Sequence, residues 1–302
     1  MRVLALAHES YPTRFARSFA LLHQAMALEE LGHEVHLYNV HKPPLPLAAY
    51  LEAYDLDLIL GDLDLVATDT VRTPLAKFRR LAPVRVIGFL YSLPGPAEAA
   101  WELVDFAATP WRGATVERLA RNHDLRYLPF GYNRRLHRRA GELPRLGAVY
   151  AGNLTSTEDR AEAQEYLAPL VDERTVLPIG AGFAQPYLDP YALGSVYAAA
   201  RCLPNFHYAR AKGEDLLLNE RFFQTSRCGI PVHDYSPLME EVLGKELAGT
   251  FCVPGKTCWQ DRVRALVAGV EQVDTRLLDR LDAAFEGHSY HERMQQLLNW
   301  IL

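Results

Sequence analysis

The sequence predicts an α/β protein built from two doubly wound domains. Three observations carry this. Short apolar runs alternate with helix-length amphipathic stretches along all 302 residues, the rhythm of parallel strands covered by helices. The chain opens on a strand, a helix, a glycine and a second strand, in that order. The rhythm then starts afresh after residues 133–145, a charged stretch holding Gly141 and Pro144 that reads as a linker.

In chain order, Arg2–Ala7 is an apolar run and the first buried strand. A loop over 8–15 follows. Residues 17–31 carry Phe19, Leu22, Met26, Leu28 and Leu31 near helical spacing. Gly32 ends that helix, and EVHLY at 34–38 alternates like a strand. Further strands are expected at 56–60, 84–90, 105–109 and 126–129, with a helix at 116–122. The second cycle begins with a strand at 148–151. A helix over 158–168 should stop before Pro169, because the residue before a proline is pushed out of the helical region. A strand at 175–179, a glycine turn at Gly180 and Gly182, a helix at 193–201 and a strand at 202–207 come next. Helices at 263–270, 276–286 and 290–302 close the chain. The shared βα rhythm suggests two Rossmann-like domains facing across a cleft, and ligands of such sheets bind beyond the carboxyl ends of the strands.

Bulk properties exclude several classes. A net charge of −5 gives no global reason to expect a nucleic-acid-binding protein. The charge is uneven: residues 1–145 hold 18 Lys+Arg against 16 Asp+Glu, and residues 146–302 hold 14 against 21. Arg134, Arg135, Arg138 and Arg139 cluster mid-chain, either as a solvated face or as a contact for an anionic acceptor. Cys202, Cys228, Cys252 and Cys258 form no CxxC and no disulfide framework. They read as free thiols of a reducing cytosol, so a cytoplasmic protein is expected. The apolar start is too short for a signal peptide, and no run of about 18 apolar residues spans a membrane.

The most informative stretch is NERFFQTSRCGIPVHD, residues 219–234. Asn219 suits an N-cap, Gly229 suits the left-handed residue that closes a helix, and a strand follows. Helix N-termini concentrate unpaired N–H groups and positive dipole, and Arg221 adds a fork of donors. This physics describes a phosphate-holding helix start. The alternative is an ordinary αβ unit with a surface arginine.

A set of ordered motifs now bears on function. LEELGHEVHLY (28–38) resembles the first αβ passage of GT-B glycosyltransferases, and YLPFGYN (127–133) resembles the segment where those enzymes cross between domains. YAGNLTSTEDR (150–160), LPIGAGF (177–183), CLPNFHYA (202–209) and NERFFQTSRCGIPV (219–232) follow in the order found in CgeB-like glycosyltransferases, of glycosyl transferases group 1 type. HSYHERMQQLL (288–298) is similar to their closing helix. The resemblance implies a GT-B fold with an acceptor domain at 1–143, a nucleotide-sugar donor domain at 144–286, and a helix over 287–302 returning to the first domain. It implies a glycosyltransferase with no cofactor and no metal. A UDP-sugar is the expected donor, and the acceptor is open among a glycan, a protein, a small molecule and modified DNA.

The resemblance also assigns candidate residues. Arg221 and Arg160 would hold the donor diphosphate, supported by the backbone after Asn219, since without a metal cations and helix-end N–H groups must take the leaving charge. Arg160 reads equally well as a helix-surface arginine. Gly152 and Asn153 end the first strand of the second domain, a place for backbone approach to phosphate. Gly180, Gly182 and Phe183 would receive the base, unless Phe183 packs in the core. Asn205 and His207 would line the sugar side, unless His207 is a satisfied core histidine. Gln224 stands where the family pattern has a glutamate that contacts the donor ribose. Glutamine still donates and accepts, but a lost carboxylate weakens charge-assisted bonds, so the departure leaves open a protein that binds a sugar nucleotide or a partner without turnover. Arg227 also replaces the pattern's alanine.

If transfer inverts the anomeric centre, the acceptor needs a base. His8, just past the first strand, is the candidate because imidazole titrates near neutrality. Glu9 would orient it, and Asp62, past the third expected strand, is the second choice. The DxD pairs Asp55–Asp57 and Asp62–Asp64 look like a metal-dependent transferase, but the resemblance places no metal there. His33 and His36 fall on opposite faces of a strand, and His137 reads as solvated among the arginines.

Overall fold

A computed structural model of the chain describes residues 1–7, 19–41, 43–93, 95, 98–140, 146–152, 157–180, 183, 188–208 and 211–301. They group into two compact units. The first holds Met1–Pro129, Glu214–Leu216 and Tyr290–Leu302; the second holds Phe130–Gly213 and Leu217–Ser289.

The first unit runs β1 (Arg2–Ala7), α1 (Phe19–Glu30), β2 (Glu34–Asn39), α2 (Leu47–Ala53), β3 (Leu58–Asp62), α3 (Leu63–Val66), α4 (Asp69–Arg79), β4 (Arg85–Phe89), α5 (Glu98–Trp101), β5 (Phe106–Thr109), β6 (Trp111–Gly113), α6 (Ala114–Ala120) and β7 (Leu125–Tyr127). Its main sheet has the order β2-β1-β3-β4-β5-β7, and every pairing in it is parallel. Strands of such a sheet are covered on both faces, and Val3, Leu4, Ile59, Leu60, Val86 and Ile87 are at most 1% exposed. Gly32 closes α1 in the left-handed region at φ 84°. There Gly32 N donates to Glu29 O and His33 N to Leu28 O, which satisfies the last carbonyls of the helix. Helices α2 to α5 are absent from the sequence reading. α2, α3 and α5 are short, of 4 to 7 residues, and α4 carries Pro74 in its interior, so its local signal breaks where buried Val71 and Leu75 hold the helix together.

The second unit runs β8 (Leu146–Ala151), α7 (Thr157–Asp172), β9 (Val176–Ile179), α8 (Pro190–Ala199) and β10 (Ala200–Asn205), then, after β11 (Asp215–Leu217), whose Asp215 and Leu216 belong to the first unit, α9 (Glu220–Ser226), β12 (Ile230–Asp234), α10 (Pro237–Phe251), β13 (Cys252–Val253), α11 (Lys256–Ala268) and α12 (Thr275–Ala284). Its sheet has the order β13-β12-β10-β8-β9 and is parallel throughout. Strand β11 pairs instead with β6, and Asp215 Oδ1 accepts from Thr115 N at the start of α6. The last helix, α13 (Tyr290–Asn299), belongs to the first unit, where the ring of its Tyr290 stacks on His23 of α1 at 5.6 Å.

Three local expectations are corrected. Helix α7 does not stop before Pro169 but runs on to Asp172. Proline lacks the N–H that would bond the carbonyl four residues back, and Gln260 Nε2 supplies donors to Glu165 O and Tyr166 O, both at 2.9 Å. Gly229 is not left-handed, since it is absent from the positive-φ residues. It is small because a Cβ there would stand 2.9 Å from Ala200 O. Residues 133–140 are not simply a solvated linker. Leu136 and His137 are buried, and Asn133 N donates to His137 Nδ1 at 2.9 Å. Arg139 reaches Gly229 O, Ser226 O and Asp282, while Arg134, Arg135 and Arg138 stay exposed. Residues 130–140 accordingly group with the second unit, which begins at Phe130.

Candidate functional site

The carboxyl ends of β8, β10 and β12 lie side by side in the second unit, because the three strands are parallel neighbours. Their last residues, with the start of α9, form one polar cluster. Asn219 caps α9 as its sequence predicts, its Oδ1 accepting from Phe222 N at 2.9 Å. Its Nδ2 donates to Asn205 Oδ1 at 3.1 Å and to Phe206 O at 3.0 Å. Arg221, in the first turn, donates from Nε to the same Asn205 oxygen at 3.2 Å and from Nη1 to Ala151 O at 3.1 Å. Its guanidinium lies over the Tyr150 ring, 4.9 Å from the centroid, a cation–π contact. A side chain on Gly152 would overlap Arg221 Nη1 and come within 2.7 Å of the Tyr150 hydroxyl. The glycine is therefore what lets Arg221 cross the end of β8.

The tautomers follow from the obligate donors. Asn205 Oδ1 accepts from Asn219 and Arg221, so its Nδ2 donates to His233 Nδ1 at 3.3 Å. His233 then carries its proton on Nε2 and donates to Ser226 Oγ at 2.9 Å, and that hydroxyl donates to Phe222 O at 2.7 Å. Burial lowers the His233 pKa to about 3, so the ring is neutral. Asn219 N donates to His207 Nε2 at 3.2 Å. His207 Nδ1 therefore holds the proton and donates to Asp234 Oδ1 at 2.9 Å. Asp234 also accepts from His207 N and contacts Lys212 Nζ. Burial pushes the Asp234 carboxyl up, but the His207 hydrogen bond and the Lys212 charge outweigh it and hold it below the usual carboxylate range. Burial also pulls on Lys212, and Asp234 more than compensates, so its ammonium is held above its ordinary value. The Tyr150 hydroxyl is driven well upward by burial, against the opposing charge of Arg221, and stays protonated.

The structure thus brings Gly152, Asn205, His207, Asn219 and Arg221 together. His207 is only 1% exposed with both ring nitrogens engaged, as in a satisfied core histidine. Gln224 sits one turn beyond Arg221 in α9 and is buried. Gly180 follows β9 at φ 128° and its carbonyl accepts from Phe183 N at 3.1 Å. Phe183 is half-buried, its ring edge-on to Tyr150 at 6.1 Å. Arg160 lies exposed in the first turn of α7. Asp62 ends β3 in the first unit, 4% exposed, and its Oδ1 caps α3 by accepting from Asp64 N at 2.9 Å. His8, Glu9, Asn153 and Gly182 lie outside the described residues. Sequence reasoning missed Tyr150, Lys212, His233 and Asp234. Asp234 had one legible signal, a carboxylate at the last position of a buried strand.

Among the described residues, no group of three or more His, Cys, Asp or Glu is placed to hold a metal ion. Among the same residues, no helix is long and apolar enough to cross a membrane. No family profile and no curated protein matches the sequence. Solved structures do match its fold. An α-glucosyltransferase in complex with UDP-glucose and DNA containing an abasic site is similar at TM-score 0.65 and 11% identity, over 100% of this chain and 99% of that one. The T4 phage β-glucosyltransferase is similar at TM-score 0.58 and 12% identity, over 98% of each chain. A glycosyltransferase from Rickettsia africae is similar at TM-score 0.60 and 8% identity, over 99% of this chain and 97% of that one. These likenesses span essentially whole chains on both sides, and the chain accordingly has the α/β GT-B architecture.

Proposed function

We propose that the protein is a glycosyltransferase of CgeB-like type, which moves a hexose from a nucleotide-sugar donor to an acceptor hydroxyl without a divalent metal. A UDP-sugar is the donor put forward, in keeping with the UDP-glucose bound by the structural neighbours. The observation that carries the reading is Arg221, fixed by Asn205, Ala151 O and the Tyr150 face at the carboxyl end of a parallel sheet. Diphosphate is a leaving group whose charge grows in the transition state. A guanidinium held in place beforehand stabilises that charge without reorganising. Gly152 leaves room for the approach, and the start of α9 adds backbone donors. Arg160 is the second proposed cation, and Gly180 with Phe183 the proposed seat of the base. His8, oriented by Glu9, is the proposed acceptor base if transfer inverts. Asp62 is less suited to that work because one of its oxygens is spent on capping α3.

The test is nucleotide binding in EDTA. UDP, GDP, ADP and dTDP are titrated separately, and one of them should raise the melting temperature without divalent metal. R221A should abolish that shift. Absence of a shift with all four would overturn the reading. A second reading, binding without turnover, is favoured by one observation, Gln224 in place of the family's acid. Hydrolysis or transfer of a labelled sugar would exclude it. The neighbours that act with DNA make modified DNA one acceptor to assay. Arg139, bonded to Asp282 within the second unit, is already occupied and would contribute little to such a contact.

A further inference from the structure

His207 and Asp234 resemble two members of a proton relay, but the third member is a backbone amide. Asp234 accepts from His207 Nδ1, and His207 Nε2 accepts from Asn219 N. No ring nitrogen is left to take or give a proton to a substrate. The pair instead holds the N–H of the N-cap residue, which the helix itself does not use. Asn219 is thereby gripped through its backbone N, its Oδ1 and both bonds of its Nδ2. Arg221 shares the Asn205 Oδ1 acceptor with Asn219, so a shift of the cap is passed on to the guanidinium.

We propose that His207 is a positioning residue for the donor site, its Nε2 lone pair fixing Asn219 and through it Arg221, with Asp234 selecting the tautomer that leaves that lone pair available. This rests on the reading of Arg221 as the diphosphate ligand. It predicts a sharp dependence on which atom replaces which. Glutamine at 207 can put an oxygen where Nε2 lies. Asparagine reaches only as far as Nδ1 and leaves the Asn219 N–H without its acceptor. Asparagine at 234 can donate to Nδ1, which moves the ring proton to Nε2, where it faces another N–H.

The experiment uses the full chain and whichever of UDP, GDP, ADP and dTDP the wild type binds tightest, followed by calorimetric titration. H207N and D234N should each weaken binding about tenfold, the scale expected when a hydrogen bond is lost and its donor left unpaired. H207Q should recover most of that loss. Melting curves without nucleotide show whether each variant is folded; should H207N fail to fold, D234N against H207Q carries the test. Wild-type affinity in H207N or D234N, with binding abolished in R221A, would overturn the positioning role while leaving the donor site standing. Equal weakening in H207N and H207Q would also overturn it, because the acceptor atom would then be irrelevant. If the wild type binds none of the four nucleotides, the donor-site reading falls, and this inference with it.

Discussion

Gly152→Ala tests the donor site without removing any polar side chain from it. The position does not need glycine for its backbone, since Gly152 is not among the positive-φ residues. The cost is therefore steric. The new methyl would overlap Arg221 Nη1 and stand 2.7 and 2.9 Å from Tyr150 Oη and Cε1. Tyr150 has nowhere to go, being fully buried and stacked on Phe206 at 5.1 Å. Arg221 is half-exposed and long, so it is the side chain that yields. Moving it breaks the bonds to Ala151 O and Asn205 Oδ1 and lifts the cation from the Tyr150 face. Hydrogen bonds of charged groups contribute about 1.5–3 kcal/mol each, and water recovers part of that for a half-exposed arginine. The folded state should lose about 1–2 kcal/mol. Nucleoside diphosphate affinity should fall about 10- to 100-fold, at about 1.4 kcal/mol per tenfold. Thermal melting with and without nucleotide separates the two effects. A G152A protein that binds the nucleotide as tightly as wild type would refute the placement of Arg221 on the phosphate.

Further expectations follow from other parts of the structure. Gly249→Ala is the matched control: its Cβ meets nothing within 4 Å in helix α10, so the variant should be unchanged or up to about 1 kcal/mol more stable, and a loss seen by urea unfolding would contradict that space. Asp282 receives Arg139 and Arg227, each at 3.0 Å and each pair under a third exposed. D282N should cost about 1–2 kcal/mol, between the values for surface and buried pairs, and an unchanged urea midpoint would show the clamp to be idle. Burial lowers His23 and His233 to about 3, below the unfolded value near 6.5, so between those values the unfolded chain binds more protons and stability is lost as the pH falls. By pH 5 the loss should be about 2 kcal/mol for each ring, and Asp234, depressed in the fold, adds a loss only below about pH 4. A flat urea midpoint from pH 7 to pH 5 would refute the buried neutral imidazoles.

Most of the strand order along the chain was legible in the sequence, because a buried parallel strand is a short apolar run wherever it lies. β1 matches its expected bounds, and the strands from β2 to β5, with β7 to β10, fall within two residues of theirs at most ends. Short helices such as α2 and α5 were not legible, since a helix of 4 to 7 residues spans too few turns to show a period. The Asn219 cap was legible because capping is decided by the residue itself and the next three. Arg221 stood out for the same reason, as a cation in the first turn.

What the sequence by itself determined is therefore local: the βα succession, the cap of α9, and the candidates at strand ends. Tertiary structure alone decided which strand ends become neighbours. It set Asp234 beside His207 across 27 residues and Arg221 against Ala151 O across 70. It also gave Pro169 a substitute donor from Gln260, 91 residues away, and made Gly229 a point of close approach to Ala200 O. The physical reason is common to all four. A buried polar group must find its partner and a packed backbone must find room, and neither requirement shows in sequence spacing until the sheet has ordered its strands.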